Sequence, residues 1–182
     1  MDVYSRWSDS YFEGLKHMDC LEIGALDGNT TRYLSRHFRR VFVIDPWDGR
    51  QEGVPRKYEI FMENAGGLPN VYHCRTGSET QEAKDFLAAA EDLKLGFAYI
   101  DGMHTASAVI GDWSLAHPYM QEGGLIFVDD CGTPGRPMGP VSDGCDSYME
   151  SSSDYEELES EGRSMSVWNE DEGLTRIFRK KA

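Results

Sequence analysis

Short apolar runs alternate along the chain with segments that have the periodicity of amphipathic helices. Five of the runs are continuously apolar, which is typical of strands that are buried on both faces of a parallel sheet. They are DCLEIG (19–24), RVFVID (40–45), NVYHCRTG (70–77), LGFAYID (95–101) and GGLIFVDD (123–130). The pattern predicts an α/β fold in which helices cover both faces of a mostly parallel sheet.

Polar residues at the borders of the intervening segments predict where the helices begin. Asn29 or Thr30 is expected to cap the first helix, and Ser78 the third. The four predicted helical segments are NTTRYLSRHF (29–38), PRKYEIFMENAGG (55–67), SETQEAKDFLAAAEDL (78–93) and TASAVIGDWSLAHPYM (105–120).

The C-terminal part departs from this alternation. The segments SMSVWNE (164–170) and LTRIFRK (174–180) predict two strands that a DEG turn joins into an antiparallel hairpin. Together with the five parallel strands they give a seven-stranded sheet in a single domain that spans residues 1–182. The acidic stretch SSSDYEELESEG (151–162) is most simply a solvated helix face or a loop.

Composition and charge limit the kinds of partner that the protein is expected to bind. The 182 residues are 40% hydrophobic and 27% charged, which is ordinary for one globular domain. No apolar run approaches the ~20 residues of a membrane helix, and the N-terminus lacks a signal-peptide pattern. We therefore expect a soluble cytoplasmic protein without a membrane partner.

The acidic charge is concentrated in the second part of the chain. The net charge is −14, and residues 61–182 hold 9 Lys and Arg against 22 Asp and Glu. Such a surface repels phosphate backbones, so no nucleic-acid partner is expected. Acidic residues gathered at one site could instead hold a divalent cation.

The four cysteines form no CxxC pair. Cys20 and Cys74 lie in strand-like runs and are expected to be buried free thiols. Cys131 directly follows two aspartates, where it could be exposed near a site.

An acid or a glycine turn lies at the end of each of the five predicted parallel strands, where ligands bind in open parallel sheets. The residues concerned are Glu22, Gly24 and Gly28; Asp45; Gly77, Ser78 and Glu79; Asp101 and His104; and Asp129 and Asp130. Glycines allow a tight turn and a close approach of backbone to a ligand. Asp45 can accept from both hydroxyls of a ribose, or it can cap its own loop.

Four motifs carry a resemblance to a known family. LEIGALDGNTTRYL, VFVIDPW, AYIDGMHT and GGLIFVDDC resemble the ordered motifs of class I S-adenosylmethionine-dependent methyltransferases. The similarity is greatest to the metal-dependent branch that contains catechol and macrocin O-methyltransferases. It extends from about residue 18 to the C-terminal strands, and it implies a Rossmann-like class I methyltransferase fold.

The resemblance also assigns the cofactor site. The methionine part of S-adenosylmethionine would lie at the glycine-rich turn, its ribose at Asp45 and its adenine near Ser78 and Glu79. The implied cofactor-binding residues are Glu22, Gly24, Ala25, Gly28, Asp45, Ser78, Glu79 and Asp101. Trp47 could cover the adenine or could close a small core.

In the same branch, the acids that end the fourth and fifth strands bind Mg²⁺. The matching residues are Asp101, Asp129 and Asp130, and three oxygen ligands suit that ion. Because successive strand residues point to opposite sides, Asp129 and Asp130 can serve one cation only if the strand bends. We therefore expect Asp129 to be the firmer ligand.

His104 and Asp101 are the predicted catalytic residues. A hydroxyl bound to the cation loses its proton more easily and can then attack the methyl group of the cofactor. His104 lies where the catechol enzyme has its catalytic lysine and is a plausible general base. Alternatively, it caps the helix that begins near Thr105.

The predicted function is Mg²⁺-dependent methylation of a hydroxyl on a small molecule. Three alternatives stay open: a metal-free methyltransferase of the same fold that acts on a nitrogen or a carboxyl, an NAD- or nucleotide-binding protein, and an inactive scaffold. The missing G-x-G-x-x-G turn disfavours the second, and the acids at every strand end disfavour the third. The substrate could be covered by residues 46–57, by residues 131–140, or by a second subunit of a homo-oligomer.

Overall fold

A computed structural model describes residues 11–48, 57–133, 136–158 and 174–182. Its strands are β1 (Asp19–Ile23), β2 (Arg40–Ile44), β3 (Val71–Cys74), β4 (Leu95–Ile100), β5 (Met120–Val128), β6 (Gly132–Thr133), β7 (Arg136–Pro137), β8 (Tyr155–Glu157) and β9 (Arg176–Lys180). Its α-helices are α1 (Asn29–Leu34), α2 (Lys57–Phe61), α3 (Gln81–Ala88), α4 (Ala106–Ala116) and α5 (Pro140–Ser151). A π-helical turn (Met62–Gly66) continues α2, and a 3₁₀ turn (His117–Tyr119) follows α4. None of the helices in these ranges is long and apolar enough to cross a membrane.

Seven strands form one sheet in the order β3-β2-β1-β4-β5-β9-β8. Strands β1 to β5 are parallel, whereas β9 is antiparallel to both β5 and β8. This confirms the predicted mostly parallel sheet with an antiparallel pair of C-terminal strands. Strands β6 and β7 pair separately as a short antiparallel hairpin that follows β5.

The partner of β9 comes from the acidic stretch, so the prediction of a helix face or loop over the whole of that stretch is wrong. Two carboxylates of the acidic stretch form ion pairs with arginines of β9. Glu157 accepts from Arg176 at 2.7 Å, and Glu156 lies 3.5 Å from Arg179. Cross-strand pairs of opposite charge stabilise a strand in which acids would otherwise repel. Because β5 and β8 occupy both sides of β9, the predicted hairpin partner of the last strand is wrong. The segment 164–170 itself lies outside the described residues.

Two predicted caps are also wrong. Thr80, not Ser78, caps α3, because its hydroxyl accepts from the N–H of Ala83 at 3.2 Å. At α1 the N-cap is Gly28 in the left-handed conformation, with no side-chain cap. Neither Asn29 nor Thr30 therefore serves as the cap.

Helices cover both faces of the sheet, as predicted. Leu34 of α1 and Phe61 of α2 pack on one face, whereas Leu87 of α3 and Trp113 of α4 pack on the other with α5. Successive strand residues belong alternately to these two cores, as the pleat requires. Tyr99, the second-last residue of β4, consequently lies on the face of the sheet that α1 and α2 cover.

All four cysteines are free thiols and are buried. The suggestion that Cys131 is exposed is therefore wrong. Its Sγ lies 3.4 Å from the carbonyl oxygen of Val128 and 3.9 Å from the Sγ of Cys145 on α5. Because α5 packs over the end of β5, the thiol faces the core and not the site.

Asp19 joins the first two strands at the edge of the sheet opposite the predicted site. Its fully buried carboxylate accepts hydrogen bonds from Arg39 and Arg40 at 2.8–3.0 Å and from the N–H of Lys94 at 3.0 Å. Burial acts to raise the pKa of Asp19, but the bonds from Arg40 and Arg39 outweigh it and lower the pKa to about 2.

We expect Asp19→Asn to lower the free energy of unfolding at pH 7 by about 2 kcal/mol, which corresponds to that pKa shift. Because the folded-state pKa is depressed, the stabilisation is present above the unfolded pKa near 4 and is lost as the pH falls towards 2. Urea denaturation at pH 7 and pH 3 measures this, with Glu122→Gln, an exposed acid, as the control. An equal effect of Asp19→Asn at both pH values would contradict the assignment.

Candidate active site

The ends of the central strands lie at one edge of the sheet and are held in register by backbone hydrogen bonds. The N–H of Asp101 donates to the carbonyl of Ile23 at 2.8 Å, and the N–H of Asp129 donates to that of Ile100 at 3.0 Å. The turns that follow β1, β4 and β5 therefore meet, and they bring most of the predicted site residues to this edge.

Both predicted glycines of the β1–α1 turn are required by their surroundings. Gly24 has φ +85°, and a Cβ added there would overlap the carbonyl oxygen of Asp101. Gly28 has φ +79°, and a Cβ there would lie 2.8 Å from Cδ2 of Phe61. The first turn is thus in direct backbone contact with the end of β4.

Asp45 holds this turn closed. Its carboxylate accepts from the N–H groups of Ala25 at 2.9 Å, Leu26 at 3.0 Å and Trp47 at 2.7 Å. A carboxylate has about four acceptor positions, so roughly one remains for a ligand. The structure therefore shows the loop-capping contacts, and the contact with a ribose stays a prediction.

Trp47 belongs to a small aromatic core. It is 8% exposed, and its ring centroid lies 4.5 Å from that of Phe61 and 5.1 Å from that of Tyr58. Its indole N–H donates to the carbonyl of Leu26 at 2.8 Å. The side chain thus packs against the β1–α1 turn and is hydrogen-bonded to it. The structure favours the predicted role in closing a small core over the role in covering the adenine.

Glu22 carries a polar atom that has no partner among the residues that the structure describes. The side chain is fully buried, and its Oε2 accepts the hydroxyl of Thr31 at 2.5 Å. Its Oε1 is buried without a hydrogen bond from any described residue. Burial, with the charges of Asp101 and Asp45, raises the pKa of Glu22 to about 8 although the Thr31 bond opposes the shift. A buried oxygen without a partner needs a hydrogen-bond donor, which a water or a ligand can supply.

The region predicted to contact adenine contains a buried acid that the sequence reasoning missed. Ser78 is half-buried and hydrogen-bonded to Asp112 of α4, whereas Glu79 is exposed with its carboxylate against Gly77. Asp112 is 2% exposed, and burial raises its pKa to about 7 against the effect of the Ser78 bond. The sequence feature that could have indicated this buried acid is Asp112 itself, an aspartate within the largely apolar helix segment SAVIGDWSLA (107–116). Through this pair the loop after β3 is joined to α4.

Asp101, His104 and Asp130 form a compact cluster at the exposed edge. Nε2 of His104 lies 3.5 Å from Oδ1 of Asp101 and 3.3 Å from Oδ2 of Asp130. One ligand atom from each side chain lies within 4.8 Å of the others. The side chains are 34%, 49% and 39% exposed, respectively, so a substrate can reach them.

The charges of the cluster are interdependent. Partial burial and the charges of Asp129 and Asp130 raise the pKa of Asp101, although His104 opposes the shift. The hydrogen bond to Asp101, with the charge of Asp130, raises the pKa of His104. The carboxylates therefore favour a positive charge between them, which an imidazolium or a divalent cation can supply.

Asp129 lies deeper than Asp130. It is 5% exposed, and its carboxylate accepts the hydroxyls of Tyr99 at 2.6 Å and Thr175 at 2.8 Å. Burial raises its pKa. Asp130 has φ +57°, a left-handed turn that directs its side chain to His104. The structure thus places Asp130 beside His104, whereas Asp129, the acid expected to be the firmer ligand, is buried behind it.

The strand order and the glycine and acid turns at this edge define an α/β Rossmann-like methyltransferase fold. Residues 21–131 match a family of methyltransferase domains, and the chain belongs to that family. The protein is therefore an enzyme of the methyltransferase class. No curated protein sequence matches the chain.

Solved structures with the same fold are distant in sequence. N-methyltransferase NodS from Bradyrhizobium japonicum WM9 in complex with S-adenosylhomocysteine has 15% identity over 96% of this chain and 83% of its own, with a TM-score of 0.63. The rRNA methylase from Streptococcus thermophilus has 13% identity over 96% and 93%, with a TM-score of 0.67. The O-methyltransferase from Bacillus cereus in complex with S-adenosylhomocysteine has 16% identity over 89% and 74%, with a TM-score of 0.61. These likenesses show the shared fold.

Proposed function

We propose that the protein transfers the methyl group of S-adenosylmethionine to a hydroxyl of a small molecule. Mg²⁺ would be held at the edge of the sheet that carries Asp101, Asp129 and Asp130, which we call the acidic edge. The observation that carries this proposal is the backbone contact between Gly24 and Asp101. It joins the turn that would hold the methionine part of the cofactor to the acids that would hold the cation. A methyl donor and an activated hydroxyl would then lie side by side, which is the main requirement for direct transfer.

The cofactor would lie along the edge from β1 to β3. The unpartnered Oε1 of Glu22 suits the ammonium group of the methionine part, and the remaining acceptor position of Asp45 suits a ribose hydroxyl. Ser78 and Glu79 would border the adenine. Two of the structures with this fold contain S-adenosylhomocysteine, the product of the same cofactor, which supports the assignment.

The donor set fits Mg²⁺, which prefers oxygen ligands and keeps several waters. The carboxylates of Asp101 and Asp130 are partly exposed at this edge, whereas that of Asp129 is buried beneath them. A bound cation would supply Lewis acidity that promotes ionisation of the acceptor hydroxyl. The predicted set of Asp101, Asp129 and Asp130 stays our proposal, with Asp130 as the more accessible of the last two.

His104 is proposed to take the proton of the acceptor hydroxyl. Its ring is half exposed, so the proton can pass on to solvent. Asp101 would orient the ring through the 3.5 Å contact. Attack by the hydroxyl oxygen forms a carbon–oxygen bond and breaks the carbon–sulfur bond of the sulfonium. The products are a methyl ether, S-adenosylhomocysteine and a proton.

A small acceptor agrees with the surface around the site. The net charge of −14 opposes a nucleic-acid partner, and the likeness to an rRNA methylase concerns the fold. Met103, between Asp101 and His104 in the chain, is 59% exposed, and Met138, whose N–H donates to the carbonyl of Cys131 at 3.0 Å, is 54% exposed. Both could contact an apolar part of the acceptor. Four buried free thiols agree with a reducing, cytoplasmic compartment.

Binding and turnover experiments test the proposal directly. We expect calorimetry to show binding of S-adenosylmethionine and no binding of NAD. We also expect methyl transfer to hydroxylated acceptors (catechols and glycosides) to stop in EDTA and to return with excess Mg²⁺. Binding of NAD alone would overturn the proposed use of S-adenosylmethionine, whereas full activity in EDTA would remove only the metal.

A further inference from the structure

Both oxygens of the Asp129 carboxylate accept hydrogen bonds from hydroxyl groups in or next to the neighbouring strands β4 and β9. Tyr99 on β4 donates to Oδ2 at 2.6 Å, and Thr175, immediately before β9, donates to Oδ1 at 2.8 Å. Both donors are 1% exposed. The two contacts approach the carboxylate from two strands that flank β5, so they determine the plane in which its remaining lone pairs lie.

Thr175 is brought to this place by the antiparallel end of the chain. The N–H of Cys131 donates to the carbonyl of Leu174 at 2.8 Å, and the N–H of Leu174 donates to that of Gly132 at 2.7 Å. The segment before β9 is therefore bonded directly to the loop that follows the two aspartates. This pairing leaves Thr175 opposite Asp129 across the β5–β9 boundary.

The start of β9 is also anchored on its outer side. Arg176 is 6% exposed and makes two 2.7 Å bonds to Glu157 of β8 and one of 2.8 Å to Asp146 of α5. A buried guanidinium held by two carboxylates fixes the backbone on either side of it. Thr175 therefore has little freedom to move away from Asp129.

Tyr99 connects the buried acid to the exposed cluster. Its hydroxyl oxygen lies 2.6 Å from Oδ2 of Asp129 and 3.5 Å from Oδ2 of Asp101. The phenol thus lies between the two acids that end β4 and β5. A change in its position would shift both carboxylates relative to each other.

We propose that Tyr99 and Thr175 are positioning residues of the metal site, which fix the Asp129 carboxylate relative to Asp101. Carboxylates that bind metals are themselves oriented by outer hydrogen bonds, and removal of such a bond typically lowers metal affinity about 10–100-fold. The C-terminal segment that contains Thr175 and β9 thereby contributes to cation binding as well as a strand to the sheet. This inference rests on the proposed function, because it requires a cation at the acidic edge.

The test measures Mn²⁺ affinity by electron paramagnetic resonance, with folding checked by circular dichroism and the melting temperature. Thr175→Val removes the hydroxyl at nearly constant volume, and we expect Mn²⁺ affinity to fall about 10-fold or more. Thr175→Ser retains the hydroxyl and should bind Mn²⁺ nearly as the wild type does. Tyr99→Phe should weaken binding in the same direction as Thr175→Val.

Thr76→Val is the matched control, because Thr76 is also a buried threonine, with its hydroxyl bonded to Thr80 and not to a metal acid. It should leave Mn²⁺ affinity unchanged. Wild-type affinity in folded Thr175→Val, or in folded Tyr99→Phe if the valine variant does not fold, would overturn the inference and leave the proposed function intact. Absence of Mn²⁺ binding by the wild type would overturn the metal proposal and this inference together.

Discussion

Asp130→Ala should reduce methyl transfer by roughly 100-fold or more, because loss of a ligand exceeds the 10–100-fold effect of losing a group that supports one. Asp130 presents a 39%-exposed carboxylate beside His104, and its left-handed backbone directs it there. Alanine is the informative replacement, since an asparagine oxygen can still bind Mg²⁺. Initial rates at saturating S-adenosylmethionine and increasing Mg²⁺ measure the effect.

The affinity for S-adenosylmethionine should be nearly unchanged in Asp130→Ala, because the proposed cofactor contacts lie on the side of β1 to β3. Glu122→Ala provides the control, since Glu122 is an exposed acid at the other end of β5. It should retain the wild-type rate. A normal Mg²⁺-dependent rate in Asp130→Ala would exclude this residue from the metal site, and the same assay of Asp129→Ala would show which acid is essential.

Gly24→Ala should abolish binding of S-adenosylmethionine and lower the free energy of unfolding by about 3 kcal/mol or more. Two effects combine there: alanine is strained at φ +85°, and its Cβ would overlap the Asp101 carbonyl oxygen. The backbone cannot rotate away, because the turn is held by Asp45. The end of β4 and the β1–α1 turn must therefore separate.

Gly123→Ala isolates the first effect, the backbone strain, because it introduces no overlap. Gly123 has φ +77°, but a Cβ added there meets nothing within 4 Å. We expect this control to lose only about 1 kcal/mol, from backbone strain, and to bind the cofactor normally. Urea denaturation and calorimetry with S-adenosylmethionine measure the two quantities for both variants. Wild-type cofactor affinity in Gly24→Ala would contradict the placement of the cofactor at this turn.

The predictable part of the site follows from local pattern. An acid that directly ends a buried parallel strand is placed at the ligand-binding edge by the strand itself, and Asp101 and Asp129 illustrate this. Gly24 was predictable for a related reason, since a strand-to-helix turn that contacts a neighbouring strand needs a residue without a Cβ.

Other features depend on contacts between residues distant in the chain. Asp129 and Asp112 are buried acids whose hydroxyl partners, Thr175 and Ser78, lie more than 30 residues away. The burial of Cys131 follows from α5 packing over it. An acidic stretch became β8 because Arg176 and Arg179 lie opposite it. No periodicity in the sequence reports such partners.

The sequence by itself determined the parallel α/β sheet, the strand near 174–180 and the row of acids at the strand ends, because each depends on residues that are neighbours in the chain. Only the tertiary structure decided how those acids are arranged. The left-handed turn at Asp130 directs that side chain to His104, while the hydroxyls of Tyr99 and Thr175 hold Asp129 behind it. Strand alternation alone predicts the opposite arrangement, because it assumes an extended backbone, and packing at the end of β5 replaces that backbone with a turn.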